Sequence, residues 1–362
     1  MARTIKHFSL HRIAGTELRV VADVEEGTLP VVQAEETVLR RYVQREAWPH
    51  RWVTLFILQD LEPLVRQLTR TPSQPSPYQG EGSKGGGASL PPGGATALNY
   101  RPVVNVYDLA NPAGCNVFVN RQAMITEGYW DDPLAIQGLL AHEHAHPLAE
   151  NETTRISRRL RLDLLLEGTP SEFKIRNSKF EIRNLLSLLA DKLCLYAPRE
   201  IFANEMAISS GLDAALLHLD RQTMANAGRG VAGRGELHRQ LQQEVTQGGL
   251  AAAAADLLLL IGDLRGYLDL ALEVAPFYRA GKEAAARELE TVLEAEVFPH
   301  LEPEAVQAYL ALCRHYMALQ ADLTPPGLIA WGEGVLHILA EALAEKGLDL
   351  QYRLQLADQR ET

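Results

Sequence analysis

The sequence has few cysteines and no surplus of basic residues. Its three cysteines, Cys115, Cys194 and Cys313, lie far apart and form no CxxC pair. This excludes a disulfide framework and leads us to expect reduced, buried thiols in a cytoplasmic protein. Lys and Arg number 35 against 46 Asp and Glu, which gives a formal net charge of −11. Because binding to nucleic acid requires cations that neutralise phosphates, this balance predicts no nucleic-acid partner.

A long apolar run is also missing. The most apolar window, residues 249–261, is short and interrupted by Asp256, so it indicates a buried helix and predicts no membrane partner. Residues 1–15 lack the continuous apolar stretch of a signal peptide, which again favours the cytoplasm. Hydrophobic residues make up 46% and charged residues 22% of the chain, as in an ordinary globular protein.

The first part of the chain has the pattern of a small α/β unit. Within residues 1–70, β-branched and aromatic residues predict strands at 18–24 and 52–58. Apolar residues at helical spacing predict a helix at 35–45 between them. The following segment, 71–95, consists largely of Pro, Gly and Ser, and this composition predicts a flexible insertion.

The rest of the chain is predicted to hold a metal-binding core at 96–228 and a helical C-terminal domain at 229–362. The core starts with a β-hairpin at 101–119, and the short repeat FKIRN/FEIRN at 172–184 is interpreted as a second insertion. Long Leu/Ala-rich helical stretches are predicted at 250–275, 281–297, 302–320 and 327–345. A sheet-containing first part and a helical second part predict an α+β fold.

The most informative motif is HExxH at residues 142–146. Asp132 is a good helix N-cap and Pro133 suits the first helical turn, so a helix of about fourteen residues is expected to end near Pro147. Residues four apart on a helix lie on one face, so His142 and His146 can both bind one zinc ion. Glu143 lies beside this pair, where its carboxylate can take a proton from a water on the metal and act as general base.

His144 belongs to the same string but has a different predicted role. On a helix it is rotated about 200° from His142, which indicates a core histidine or one that supports the ligands. If the segment were a strand, its period of two would bring His142, His144 and His146 to one face as a three-histidine site. The cap and the apolar pattern favour the helix.

The zinc ion needs a third protein ligand, and two downstream carboxylates are candidates. Glu200 and Glu205 are five residues apart, about 140° on a helix, so only one of them is expected to face the metal. Spacing alone leaves both open.

With these two motifs, at 133–151 and 198–213, the sequence resembles the gluzincins, zinc peptidases whose second motif is a helical Glu often preceded by Asn. Asn204-Glu205 matches that pattern, so the resemblance implies Glu205 as third ligand and a zincin-like catalytic core. The same stretch also resembles the ImmA/IrrE-like peptidases, which would favour Glu200. We prefer Glu205.

The resemblance further implies a donor for the oxyanion and a strand that binds substrate. The candidate donors are four residues, His218, Tyr196, His315 and Tyr316. In chain order, residues 116–120 occupy the place of the edge strand that binds extended peptide.

The sequence therefore predicts a zinc metallopeptidase acting on a peptide or protein substrate, with homo-oligomer formation through the helical C-terminal region. The alternative is a non-catalytic interaction protein that retains a zincin-like fold, with or without bound metal. A metal hydrolase acting on a non-peptide amide is a third hypothesis.

Overall fold

A computed structural model describes residues 4–45, 47–61, 101–110, 112–167 and 178–357. The predicted insertion at 71–95 and the first copy of the repeat lie outside these residues. Two compact units make up the chain, and they are described separately. Unit one comprises Met1–Glu150, Met206–Leu219 and Asp358–Thr362, and unit two comprises Asn151–Glu205 and Asp220–Ala357. The domain boundaries expected from the sequence stay predictions.

Unit one contains a five-stranded mixed sheet in the order β1-β2-β3-β5-β4. The strands are β1 (His7–Ile13), β2 (Thr16–Ala22), β3 (Trp52–Leu58), β4 (Val103–Tyr107) and β5 (Gly114–Asn120). β3 is parallel to both β2 and β5, whereas β1 and β4 run antiparallel to their neighbours. The predicted strand at 52–58 and the hairpin at 101–119 are confirmed, while β1 was missed.

The described part of unit one also contains α1 (Thr28–Tyr42), α2 (Arg121–Thr126), α3 (Pro133–Ala145) and the first residues of a longer helix that starts at Asp213. Helix α1 starts seven residues before the prediction and carries an apolar face that includes Val31, Val38 and Leu39, all fully buried. Periodic burial of this kind stabilises a helix by packing rather than by its intrinsic propensity. The α3 helix carries the HExxH motif.

Unit two is mainly helical. Its helices are α4 (Glu152–Ser157), α5 (Ser178–Ala190), α6 (Ala197–Ala207), α7 (Asp213–Thr246), α8 (Ala252–Tyr267), α9 (Ala271–Arg279), α10 (Glu283–Glu296), α11 (Pro303–Met317) and α12 (Pro325–Ala344). The boundary between the units divides two of them: α6 belongs to unit two as far as Glu205, and α7 belongs to it from Asp220 onward. The helical stretches predicted beyond residue 250 are confirmed, although a 3-10 turn at Leu268–Leu270 divides the first. The second repeat copy is part of α5, and its Ile182 is buried, so this copy contributes to the core.

Two strands of unit two were not predicted. β6 (Leu160–Glu167) pairs antiparallel with β7 (Asp349–Leu356), from Leu160↔Leu356 to Glu167↔Asp349. The molecule is thus an α+β protein with a five-stranded N-terminal sheet and a largely helical C-terminal part that ends in a strand.

The described residues include one helix, α12, that is long and apolar enough to cross a membrane by length and composition. A core helix of a soluble protein passes the same test, and α12 buries Leu336 and Leu343 completely. The expectations of a cytoplasmic protein without a membrane partner stay predictions.

Gly138 allows a close approach between α3 and the start of α7 in unit one. A Cβ atom on Gly138 would lie 2.7 Å from the Ala215 carbonyl oxygen and 2.9 Å from Leu219 Cβ. We expect Gly138→Ala to lower the free energy of unfolding by about 1–3 kcal/mol, because backbone must move to accept the methyl group. Urea unfolding followed by circular dichroism measures the change.

The control is Gly235→Ala, at an exposed position of α7 with nothing within 4 Å of the added methyl group. Alanine is a better helix former than glycine, so this substitution should raise the free energy of unfolding by roughly 0.5–1 kcal/mol. Equal effects of the two substitutions would contradict the close packing of α3.

Candidate metal centre

Helix α3 begins as the sequence predicts. The Asp132 side chain accepts hydrogen bonds from the backbone N–H groups of Leu134 (3.0 Å) and Ala135 (3.1 Å), and Pro133 occupies the first helical position. These contacts satisfy two N–H groups that have no partner within the helix. The helix ends at Ala145, and His146 follows as its C-cap with helical backbone angles, φ −51° and ψ −52°. The strand alternative for this segment is therefore wrong.

The helix brings the two motif histidines together. The ring centroids of His142 and His146 are 4.8 Å apart, with the ring planes at 83°, and both side chains are half-buried. One helical turn separates them, as the spacing requires. Two imidazoles in this arrangement can hold the same ion.

The two candidate carboxylates lie on different faces of α6. His142, His146 and Glu200 each have a potential ligand atom, and these three atoms all lie within 4.8 Å of one another. Among the described residues, these three side chains form a cluster that is close enough to hold one metal ion.

Glu205 has another partner. Its Oε2 accepts hydrogen bonds from Nη2 (2.9 Å) and Nε (3.0 Å) of Arg279 in α9, within unit two. Asn204, the other residue of the predicted Asn-Glu motif, is buried and donates from Nδ2 to the Leu272 carbonyl (3.2 Å) and to Glu273 (3.3 Å). Asn204 and Glu205 thus both have hydrogen-bond partners within unit two.

Glu143 is held by the neighbouring strand β4. The backbone N–H of Asn105 donates to Glu143 Oε2 at 3.2 Å, and the Asn105 side-chain amide donates to the Glu143 backbone carbonyl at 3.0 Å. These two bonds fix the carboxylate relative to α3. The sequence analysis missed Asn105, although a lone polar residue in the apolar segment VVNVY was a usable signal.

His144 is a fully buried side chain. Its Nε2 lies 2.7 Å from Glu35 Oε1 of α1, and both side chains are 0% exposed. This agrees with the prediction of a core histidine facing away from the ligand pair. Glu35 was missed, yet it lies on the apolar face of α1, four residues after Val31 and four before Leu39, and this position indicates burial.

Three of the four candidate oxyanion donors are engaged elsewhere. His218 Nε2 lies 2.6 Å from Asp132 Oδ2, and Asp132 precedes His142 by ten residues, or about 15 Å along the helix. His315 Nε2 bonds the Trp331 carbonyl at 2.8 Å. The hydroxyl of buried Tyr316 donates to a backbone carbonyl at 2.7 Å.

Tyr196 is the remaining candidate donor. It ends a π-helical turn that leads into α6, four residues before Glu200, and its side chain is 50% exposed. Helical spacing of four places Tyr196 and Glu200 on the same side of the chain.

The expectation that residues 116–120 form an edge strand is wrong. Residues 116–120 belong to β5, which pairs with β3 on one side and β4 on the other, so β5 has no open edge. Among the described strands, β4 lies at the edge next to β5. The order of strands in the sequence could not reveal this, because β4 precedes β5 in the chain but lies beyond β5 at the edge of the sheet.

Comparison of the chain with protein-family models, curated proteins and solved structures found no significant match.

The contacts of Asp132 predict a pH-dependent contribution to stability. Burial raises the pKa of Asp132, but hydrogen bonds from His218 and from the first turn of α3 outweigh it and lower the pKa below its usual value. Because the pKa is lower in the folded state, the ionised carboxylate stabilises the fold at pH values above its unfolded pKa of about 3.9. This stabilisation is lost as the pH falls through the pKa of the folded state. Asp132→Ala should therefore cost about 1 kcal/mol at neutral pH.

Urea unfolding at neutral pH and at about pH 3 measures this difference, with exposed Asp131 as the control position. Asp131→Ala should leave the free energy of unfolding almost unchanged at either pH. An Asp132→Ala deficit that stays constant down to low pH would contradict a role for the ionised carboxylate.

Proposed function

We propose that this chain is a zinc-dependent hydrolase with a zincin-like core that cleaves peptide bonds. The proposal rests mainly on one observation, the group of ligand atoms from His142, His146 and Glu200 within 4.8 Å of one another. Two imidazoles and one carboxylate form a donor set that suits zinc in a catalytic site, where the fourth position stays open. Glu200 takes the role that the sequence analysis gave to Glu205.

The chemistry divides between the metal and Glu143. Zinc, when bound, would lower the pKa of a water to about 7 and would polarise the substrate carbonyl. Glu143 takes the proton of the attacking water and passes it to the leaving amine. The bond from the Asn105 N–H to Oε2 orients this carboxylate, and orientation of the base is what makes proton transfer efficient.

An extended peptide suits the surroundings of Glu143. β4 lies at a sheet edge among the described strands, and Asn105 in that strand contacts α3 through Glu143. A peptide can pair with such an edge through main-chain hydrogen bonds. We therefore propose a peptide or protein substrate that binds along β4.

The metal-binding prediction compares two matched variants of helix α6. Glu200→Gln should lose zinc, because a neutral amide is a poor ligand, whereas Glu205→Gln should retain about one zinc ion per chain. Zinc content after dialysis is measured by atomic emission. Glu205→Gln should instead lower the free energy of unfolding by about 1–3 kcal/mol, because it removes the anionic partner of Arg279.

Loss of zinc in Glu205→Gln with retention in Glu200→Gln would restore Glu205 as the ligand. A wild-type protein that takes up no zinc would overturn the zinc proposal and favour the non-catalytic alternative.

The catalytic prediction concerns Glu143→Gln. This variant should bind zinc as the wild type does but hydrolyse a peptide library about 100- to 10,000-fold more slowly, the usual contribution of a general base. Peptide cleavage is followed by mass spectrometry. Asp131→Ala, at an exposed residue before α3, serves as the control. Undiminished cleavage by Glu143→Gln would show that another group acts as the base.

A further inference from the structure

A second group of polar side chains lies on strand β1, in unit one, and uses none of the residues of the metal centre. His7, Ser9 and His11 alternate along the strand, and a period of two places their side chains on one face of the sheet. The residues between them, Phe8 and Leu10, belong to the opposite face and are 66% and 60% exposed. The polar face is the one that meets helix α1.

Two hydrogen bonds connect these side chains to one another, and a third connects His11 to α1. Ser9 Oγ lies 2.8 Å from His11 Nε2, and His11 Nδ1 lies 2.8 Å from Glu36 Oε1 of α1. On its other side, Ser9 Oγ lies 3.2 Å from His7 Nε2. A hydroxyl, an imidazole and a carboxylate in this order form the arrangement that activates a serine for nucleophilic attack.

The bonding partners determine the direction of each hydrogen bond. A carboxylate only accepts, so His11 Nδ1 carries a proton and donates it to Glu36. In neutral His11 the other nitrogen, Nε2, is then an acceptor, and Ser9 donates its hydroxyl proton there. A serine hydroxyl has one proton, so the second contact of Oγ requires His7 Nε2–H as the donor.

We propose that Ser9, His11 and Glu36 form a second catalytic site, which hydrolyses small acyl esters independently of zinc. Ser9 is the nucleophile, His11 is the general base, and Glu36 is a positioning residue that holds His11 in the required tautomer. His7 is the donor for the oxyanion. This activity lies beyond the proposed peptidase function and does not depend on it.

Each step of the reaction uses only these groups, the ester and water. Ser9 Oγ attacks the ester carbonyl carbon while its proton moves to His11 Nε2. The carbonyl electron pair moves to oxygen, which accepts a hydrogen bond from His7. Collapse breaks the bond to the alcohol, which leaves with the proton from His11. Water then attacks the acyl-serine with His11 as base, and release of the carboxylic acid returns the proton to Ser9.

The exposure of the site determines the substrate class. Ser9 is half-buried, and the side chains of His11 and Glu36 are 31% and 27% exposed, so the site lies at the surface, where a small ester can reach it. Glu36 also faces Arg40, with 3.7 Å between Oε2 and Nη2.

A fluorophosphonate probe tests the site directly, because an activated serine displaces fluoride from its phosphorus. We expect an adduct on Ser9, mapped by peptide mass spectrometry in the full chain. His11→Gln should slow labelling about 100-fold or more, the lower range of general-base catalysis. The exposed Ser209, whose hydroxyl donates to the Met206 carbonyl at 3.0 Å, is the internal control and should stay unlabelled.

The second measurement is hydrolysis of p-nitrophenyl acetate in the Glu143→Gln background, which removes the proposed general base of the metal centre. Ser9→Ala should abolish this hydrolysis, and Glu36→Gln should lower kcat with little change in KM, since Glu36 does not touch the ester. Absence of the Ser9 adduct, or equal labelling of Ser9 in wild type and His11→Gln, would overturn the proposal. Either outcome leaves the zinc prediction unaffected.

Discussion

The buried contact between Glu35 and His144 fixes the orientation of helix α3, which carries the HExxH motif, in unit one. Both side chains are completely buried, with 2.7 Å between Oε1 and Nε2. Burial of polar groups costs free energy that a hydrogen bond between them offsets, so removal of either partner is costly. Because His144 is fixed towards α1, the residues two positions away on either side, His142 and His146, are directed away from the core.

Further contacts fix α3 along its length. The Asp132 cap holds its first turn, and the buried Tyr42 hydroxyl donates to the Ala141 carbonyl at 2.7 Å near its last turn. Asn105 attaches Glu143 to strand β4. Under the proposed function, the base Glu143 and two of the three ligands, His142 and His146, lie on this anchored helix and would need little reorganisation during a reaction.

The parts of this site that the sequence predicts are those set by local spacing. The start of α3, its end at Ala145 and the shared face of His142 and His146 follow from a cap residue, a proline and a helical period. The proposed third ligand does not follow from the sequence, because Glu200 and Glu205 share one helix and one local pattern. Arg279, 74 residues after Glu205, distinguishes them. The pairing of β6 with β7 was missed for the same reason, since the two strands are far apart in the chain.

The central claim concerns the metal and its third ligand, and anomalous X-ray diffraction at the zinc absorption edge tests it most directly. Crystals grown with zinc should give one strong anomalous peak at about 2.0–2.2 Å from a nitrogen of His142, a nitrogen of His146 and a carboxylate oxygen of Glu200. A peak bonded to Glu205, or no peak beside the two histidines, would contradict the account.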